Sequence, residues 1–180
     1  MNNFKKLNYQ DKIFIAGSSG MVGSAIKKVL RKSNYGINEL NGKIYCPTRK
    51  DLNLLNFQDV KNWFSKYKPD IVIIAAAKVG GIYANKTKPY DFILENLKIQ
   101  NNIIEVAFQT GVKRLLFLGS SCIYPKFAKQ PISEEYLLSG TLEKTNEFYA
   151  IAKIAGIKLC ESLRKQYNFD AISLMPTNLY

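Results

Sequence analysis

Histidine is missing from all 180 residues, so any acid–base chemistry in this chain runs without an imidazole. Cysteine is scarce. Cys46, Cys122 and Cys160 are widely spaced and odd in number, which speaks against a disulfide framework. With no metal-ligand spacing among them, no metal site is expected. Long hydrophobic runs are absent too: the longest, Ile71 to Ala77, is far too short to cross a bilayer. The start, Met1-Asn2-Asn3-Phe4-Lys5-Lys6, has neither an apolar stretch nor a small-residue cleavage site of the secretory kind. Repeats and low-complexity linkers are lacking as well. What remains is the expectation of one ordinary globular domain in the cytoplasm, with no membrane partner.

Charge of one sign is in excess. The formal net charge is +12, and 22 of the 26 basic residues are lysine. A nucleic-acid-binding face would cluster its cations. Here the lysines are scattered along the chain, which reads as a solvated surface, and no nucleic-acid partner is expected. A cationic surface still attracts phosphate-bearing small molecules.

Short apolar runs alternate with helical patterns. Strands are expected at Lys12–Ala16, Lys43–Cys46, Ile71–Ala75, Arg114–Leu118 and Ala171–Met175. Helices are expected at Met21–Lys32, Gln58–Tyr67, Tyr90–Thr110 and Glu147–Tyr167, with Gly111 as a stop for the third. In that helix Ile93, Leu97, Ile104 and Phe108 are read as one side. Ser120 to Lys144, holding Pro125, Pro131 and Gly140, reads as loop. The alternation predicts an α/β fold: a doubly wound parallel sheet of the Rossmann type, with helices on both faces. Ligands on such sheets bind beyond the carboxyl ends of the strands.

Between the first strand and first helix stands Gly17-Ser18-Ser19-Gly20-Met21-Val22-Gly23. Glycines at this spacing permit a tight turn and let a pyrophosphate approach the helix N-terminus, where free N–H groups and the positive dipole end meet it. A bare glycine-rich turn is the bland alternative. After the second strand comes Cys46-Pro47-Thr48-Arg49-Lys50-Asp51. Arg49, helped by Lys50, has the planar fork that suits a ribose 2′-phosphate and points to NADP over NAD. A plain surface arginine is the other reading, and Asp51 is a candidate partner for the adenine. Ala75-Ala76-Ala77-Lys78-Val79-Gly80-Gly81 offers small residues either for a cofactor lying against the backbone or for close helix packing.

Tyr149-Ala150-Ile151-Ala152-Lys153 places a phenol and an ammonium four residues apart, on one face of a helix. A free phenol titrates near 10; the neighbouring ammonium is expected to lower that value and make Tyr149 a usable proton donor or acceptor. Lys153 is also placed to bond a cofactor ribose. Ser120, in Gly119-Ser120-Ser121 after the fourth strand, supplies a hydroxyl for a carbonyl oxygen or a developing alkoxide.

These segments together resemble the GDP-L-fucose synthases, the GDP-4-keto-6-deoxy-D-mannose 3,5-epimerase/4-reductases of the extended short-chain dehydrogenase/reductase group. The resemblance rests on Phe14–Gly17 with Gly20–Ile26, Ala75–Ile82, Leu115–Pro125, Tyr149–Glu161 and Met175–Tyr180. It implies that Gly17, Ser18, Ser19, Gly20, Met21, Val22 and Gly23 hold the phosphates of NADP(H). Arg49, Lys50, Asp51, Leu52, Asn53 and Leu54 would take the adenosine end. Leu118, Gly119, Ser120 and Ser121, with Pro176, Thr177, Asn178 and Leu179, would line the nicotinamide side. Ser120, Tyr149 and Lys153 would form the reductase triad, and Cys122 would move protons at C3 and C5 of the sugar. Read from its residues alone, Cys122 is a small buried side chain beside a strand end.

The same resemblance implies a homodimer and a nucleotide-sugar substrate, GDP-4-keto-6-deoxy-D-mannose. It also implies a C-terminal substrate-binding domain carrying a histidine partner for the epimerisation. Residues 1–180 hold no histidine and are expected to be the NADP-binding Rossmann domain, with the substrate-binding domain absent. A fragment, a half completed by a second polypeptide, and a stand-alone chain all stay open. So do another nucleotide-sugar epimerase or dehydratase and a non-catalytic dinucleotide-binding module.

Overall fold

A computed structural model describes residues 6–177 and 179. Five strands form one parallel sheet in the order β2-β1-β3-β4-β5. They are β1 (Lys12–Ala16), β2 (Lys43–Tyr45), β3 (Ile71–Ile74), β4 (Arg114–Leu118) and β5 (Ala171–Leu174). Ile13 sits beside Ile44 on one side and Ile71 on the other, and Ile73 beside Leu116. Both faces of β1 and β3 are covered, so Ile13, Phe14, Ile15 and all of Ile71–Ile74 are buried, which explains the unbroken apolar runs.

The helices are α1 (Met21–Lys32), α2 (Phe57–Tyr67), α3 (Ile82–Thr87), α4 (Pro89–Gln109) and α5 (Glu147–Tyr167). α2, α4 and α5 cover one face, packing Val60, Phe64, Ile103, Ile104, Ile154 and Ile157 against Phe14, Val72, Leu115 and Phe117. On the other face Ile26 and Leu30 of α1 meet Ile13, Ile15, Ile71 and Ile73. The boundaries follow local chemistry. Asn56 caps α2 by accepting the Asp59 N–H at 3.1 Å. Pro89 opens α4, where a missing N–H is harmless, and Gly111 follows its end with φ +74°.

Three expectations change. Helix α3 escaped the sequence reading because one and a half turns hold too little periodicity to register. The loop after β4 contains two short 3₁₀ turns, Ser121–Ile123 and Glu134–Tyr136. The core face of α4 is rotated from the one expected: Phe92, Asn96, Gln100, Ile103, Ile104 and Ala107 are buried, while Ile93 and Leu97 flank them. Apolar periodicity passes over Asn96 and Gln100 because their polar ends are satisfied inside. Asn96 bonds both backbone groups of Lys78, and Gln100 donates to the Ala152 carbonyl at 2.7 Å. Among the described residues no helix is long and apolar enough to cross a membrane.

Candidate active site

Gly17 leaves β1 with φ +79°, a conformation that L side chains resist. A Cβ there would lie 2.6 Å from the Ala76 backbone nitrogen, so the first loop rests on the segment after β3. A Cβ on Gly23 would come within 2.1 Å of the Gly17 carbonyl oxygen. The first turn of α1 is thereby pulled under the loop. Gly20 is its N-cap and has no side-chain cap bond, and no acid lies in the first turn. Ser19, Gly20 and Met21 are exposed there, while Ser18 is buried. The exposed positive end of a twelve-residue helix suits the pyrophosphate of a dinucleotide. The loop fits that group because Gly17 and Gly23 let its backbone close tightly against the helix end and the segment after β3.

After β2 the chain turns tightly. The Asp51 carboxylate accepts the Thr48 N–H at 2.8 Å and the Thr48 hydroxyl at 2.7 Å, and these bonds hold it below the usual carboxylate range. Asp51 is therefore committed to the turn, which weakens its candidacy as an adenine partner. The turn leaves Arg49 and Lys50 exposed. Arg49, Lys50, Asp51, Leu52 and Asn53 line a depression of about 400 Å³ beside Trp63 and Tyr67. Leu52 turns its side chain into the core, and Leu54 packs partly against it.

The carboxyl ends of β4 and β5 bring the remaining groups together. Gly119 donates to the Leu174 carbonyl at 2.7 Å and Ser121 to the Pro176 carbonyl at 3.1 Å, so the two strand ends stay paired past the sheet. Thr177 and Leu179 follow, exposed; Asn178 lies outside the described residues. Ser120 caps the Ser121–Ile123 turn, its Oγ accepting the Cys122 N–H at 3.4 Å. From α5, Tyr149 and Lys153 reach the same spot. The Lys153 ammonium, only 4% exposed, donates to the Leu118 carbonyl at 2.7 Å and sits 4.8 Å from the Phe117 ring centre. The Ser120 hydroxyl faces both the Tyr149 phenol and the Cys122 thiol. α1 and α5 lie on opposite faces, yet both begin at this edge of the sheet, so the glycine loop and the Tyr149 helix open on the same rim.

The electrostatics depart from the sequence reading. Tyr149 is pushed up to about 12 where a lowered value was expected. Burial disfavours the phenolate, and a thiolate at Cys122 adds to the effect; the Ser120 hydroxyl only partly offsets them. Lys153 does not lower it because its ammonium is turned to Leu118, 5.8 Å from the Tyr149 ring centre. Burial brings Lys153 itself down to about 8. Cys122 is raised by burial, against the pull of Ser120 and Lys153. At neutral pH the site holds a protonated phenol and a thiol.

Sequence reasoning missed two supports of this rim. Asn96 ties α4 to the segment after β3, and the Lys78 ammonium pairs with Glu95 and Asp91 from the same helix. Buried amides aligned with an otherwise apolar helix face were the available signal. A second concavity, about 410 Å³, lies in the loop after Cys122 and is lined by Phe127, Lys129, Tyr136 and Thr141 among others.

The profile of the NAD dependent epimerase/dehydratase family matches residues 13–180. This chain belongs to that family. GDP-L-fucose synthase 1 of Arabidopsis thaliana is 57% identical over 169 residues, 94% of this chain and 50% of that protein. GDP-L-fucose synthase of Escherichia coli K12 is 56% identical over 171 residues, 95% of this chain and 51% of its own length. The chain thus spans about half the length of the curated relatives it matches. Among solved structures, a GDP-L-fucose synthetase from Naegleria fowleri bound to NADP superposes with a TM-score of 0.86 at 30% identity. That match covers 98% of this chain and 56% of the other. The epimerase/dehydratase fold accounts for the five-stranded sheet, and the resemblance read from the motifs runs to the same group of relatives.

Proposed function

We propose that this chain carries the NADP(H)-binding and proton-transfer machinery that converts GDP-4-keto-6-deoxy-D-mannose to GDP-L-fucose, by epimerisation and then reduction. The observation carrying this reading is the meeting of Ser120, Cys122, Tyr149 and Lys153 on the rim that also holds the glycine cradle. The relatives named GDP-L-fucose synthase support the substrate, and the NADP-bound neighbour supports the cofactor.

Each role follows from position. The loop Gly17–Gly23 offers backbone N–H groups to the pyrophosphate, and Arg49 offers its guanidinium to the 2′-phosphate. Bound NADPH supplies the hydride for C4 of the sugar. Ser120 holds the carbonyl oxygen, and Tyr149, protonated at neutral pH, gives that oxygen its proton. Lys153 keeps donors beyond the one used on Leu118 and would offer them to the cofactor ribose. Cys122 takes and returns protons at C3 and C5; Ser120 and Lys153 are the groups that favour its thiolate. A homodimer, or a second polypeptide completing the substrate site, belongs to the same reading, as does a cytoplasmic location. The exposed Val79, Ile82, Tyr83 and Tyr90 around α3 and the start of α4 support an interface.

Fluorescence titration with NADPH and NADH tests the cofactor assignment. Arg49→Ala should weaken NADPH about 10- to 100-fold, the value of a charge-assisted phosphate pair, and leave NADH nearly unchanged. Equal loss for both would refute the 2′-phosphate role.

A further inference from the structure

Helices α4 and α5 share one face of the sheet and meet at a single kind of polar contact inside the core. Gln100 of α4 is only 2% exposed, and its side-chain amide donates to the Ala152 carbonyl of α5 at 2.7 Å. Helix geometry already gives that carbonyl the Gly156 N–H, four residues on. The bond from Gln100 is therefore not needed to satisfy it. An apolar side chain of the same size would fill the space without the cost of burying an amide. What the amide adds is direction: it fixes α5 against α4 at one depth and one register. Gly156 stands at the same contact. A Cβ there would lie 2.9 Å from Cδ of Gln100 and 2.5 Å from Cζ of Phe117. Glycine in the middle of a helix costs backbone entropy that alanine does not. Two locally unfavourable residues thus meet where α5 rests on β4.

Lys153 directly follows Ala152, and the ring that enters the notch at Gly156 is the one facing its ammonium. Phe117 has its ring centre 4.8 Å from the Lys153 nitrogen, which donates to the Leu118 carbonyl at 2.7 Å. We propose that Gln100 and Gly156 are positioning residues for the site described above: together they seat α5 on β4 and hold the Lys153 ammonium dry against Leu118 and Phe117. Their effect passes through the helix. If α5 lifts, water reaches the ammonium and its hold on Leu118 loosens. The use of Lys153 toward a cofactor ribose rests on the function proposed above, whereas the seat can be read in the chain alone.

The test is a pH titration of Lys153 by NMR. Isotope-labelled lysine supplies the ε-carbon signals, and Lys153→Met assigns the one that belongs to Lys153. In wild type, burial brings that midpoint down to about 8. The titratable groups facing it are Cys122 from the turn after β4 and Tyr149 from its own helix, and every variant retains both. Gln100→Met keeps the length and volume but removes the donor. It should move the midpoint up by about half a pH unit as water enters. Gly156→Ala pushes the helix off Phe117 and should move it up by about one unit. Combined, the two should give less than their sum, because both act through one seat. Val60→Ala hollows the core under α2 on the same face. It should lower stability and leave the Lys153 midpoint where it is. Gln100→Met carries the test alone should Gly156→Ala fail to fold. An unchanged or lowered midpoint in either single variant, strict additivity of the pair, or the same rise in Val60→Ala overturns the proposal. The Arg49→Ala titration does not depend on the Lys153 midpoint, so the two proposals fail separately.

Discussion

Two lysines stand at opposite ends of β4 and live in opposite surroundings. Lys113, just before the strand, is 60% exposed and pairs with Asp70 at 3.0 Å and Asp11 at 3.2 Å. Those two acids bind backbone in turn: Asp70 accepts the Lys12 N–H and Asp11 the Asn8 N–H, both at 2.8 Å. Arg114 pairs with Asp170 beside them at 2.8 Å. The amino-terminal edge thus ties β1, β3, β4 and β5 with matched charges, and Lys113 is raised by its partners. Lys153, at the other end, is buried against a carbonyl and two rings, with no carboxylate paired to it among the described residues, and is pushed down to about 8. One edge spends its charge on holding strands together. The other keeps an unmatched charge, a glycine loop and a helix end without a side-chain cap, which stabilise little by themselves and suit the cofactor role proposed above.

The largest effect that would sharpen this contrast belongs to the glycine cradle. Gly23→Ala drives a methyl group into the Gly17 carbonyl. The loop must shift, loosening at least two charge-assisted bonds of about 1.5–3 kcal/mol each, so NADPH affinity should fall about 100-fold or more. Stability should drop by about 1–3 kcal/mol, as for other overpacked sites. Retention of NADPH binding near the wild-type value would break the comparison at its functional end.

Next come the lysines themselves, exchanged for a residue of similar length. Lys113→Met leaves Asp11, 4% exposed, without its cation. The pair is half open to water, so the loss should be about 1–2 kcal/mol rather than the full value of a buried pair. NADPH affinity should not change. Lys153→Met removes a buried charge but also the bond to Leu118. The two terms oppose, and the variant should be as stable as wild type or about 1 kcal/mol more so. Its NADPH affinity should fall about tenfold through the lost ribose bond. Urea melts and NADPH titrations of the two variants check both signs, and a Lys153→Met chain less stable than Lys113→Met would invert the argument.

Most of this architecture was legible in the residues. β3 announced itself as a continuous apolar run, and Gly17, Gly20 and Gly23 sat where a strand gives way to a helix. Spacing alone put Tyr149 and Lys153 on one face of a helix. What escaped depended on depth and direction. No pattern could show that the Lys153 ammonium turns to Leu118 instead of the phenol, and so the expected lowering of Tyr149 came out as a rise. Asn96 and Gln100 escaped because an amide on a core face carries no apolar signature. The commitment of Asp51 to Thr48 is a local turn, visible in principle from Thr-x-x-Asp spacing, yet a free carboxylate near the adenosine end drew the first assignment.

The smallest expected effect is also the cleanest probe of the unmatched lysine. A free lysine titrates at 10.5, whereas Lys153 in the folded chain titrates at about 8. Between those values the unfolded chain holds a proton that the native state has released. Stability therefore rises with pH through that interval. The thiols work in the other direction. Cys122 is raised above 9.0 and Cys160 up to about 11, so as pH climbs toward 9 and beyond, the native state holds protons that the unfolded chain gives up. Tyr149 opposes in the same sense above 10. From pH 8 to 9 Lys153 should contribute a gain of about 1 kcal/mol. The thiols of the unfolded chain, already beginning to titrate, take back about half of it, so wild-type stability should rise slightly. Lys113 adds nothing there, because its raised value acts only above 10.5. Urea melts at pH 8.0, 8.5 and 9.0 should show the rise in wild type and in Lys113→Met but not in Lys153→Met. The same rise in Lys153→Met would mean that the charge at the carboxyl end of β4 is as well matched as the one at its start.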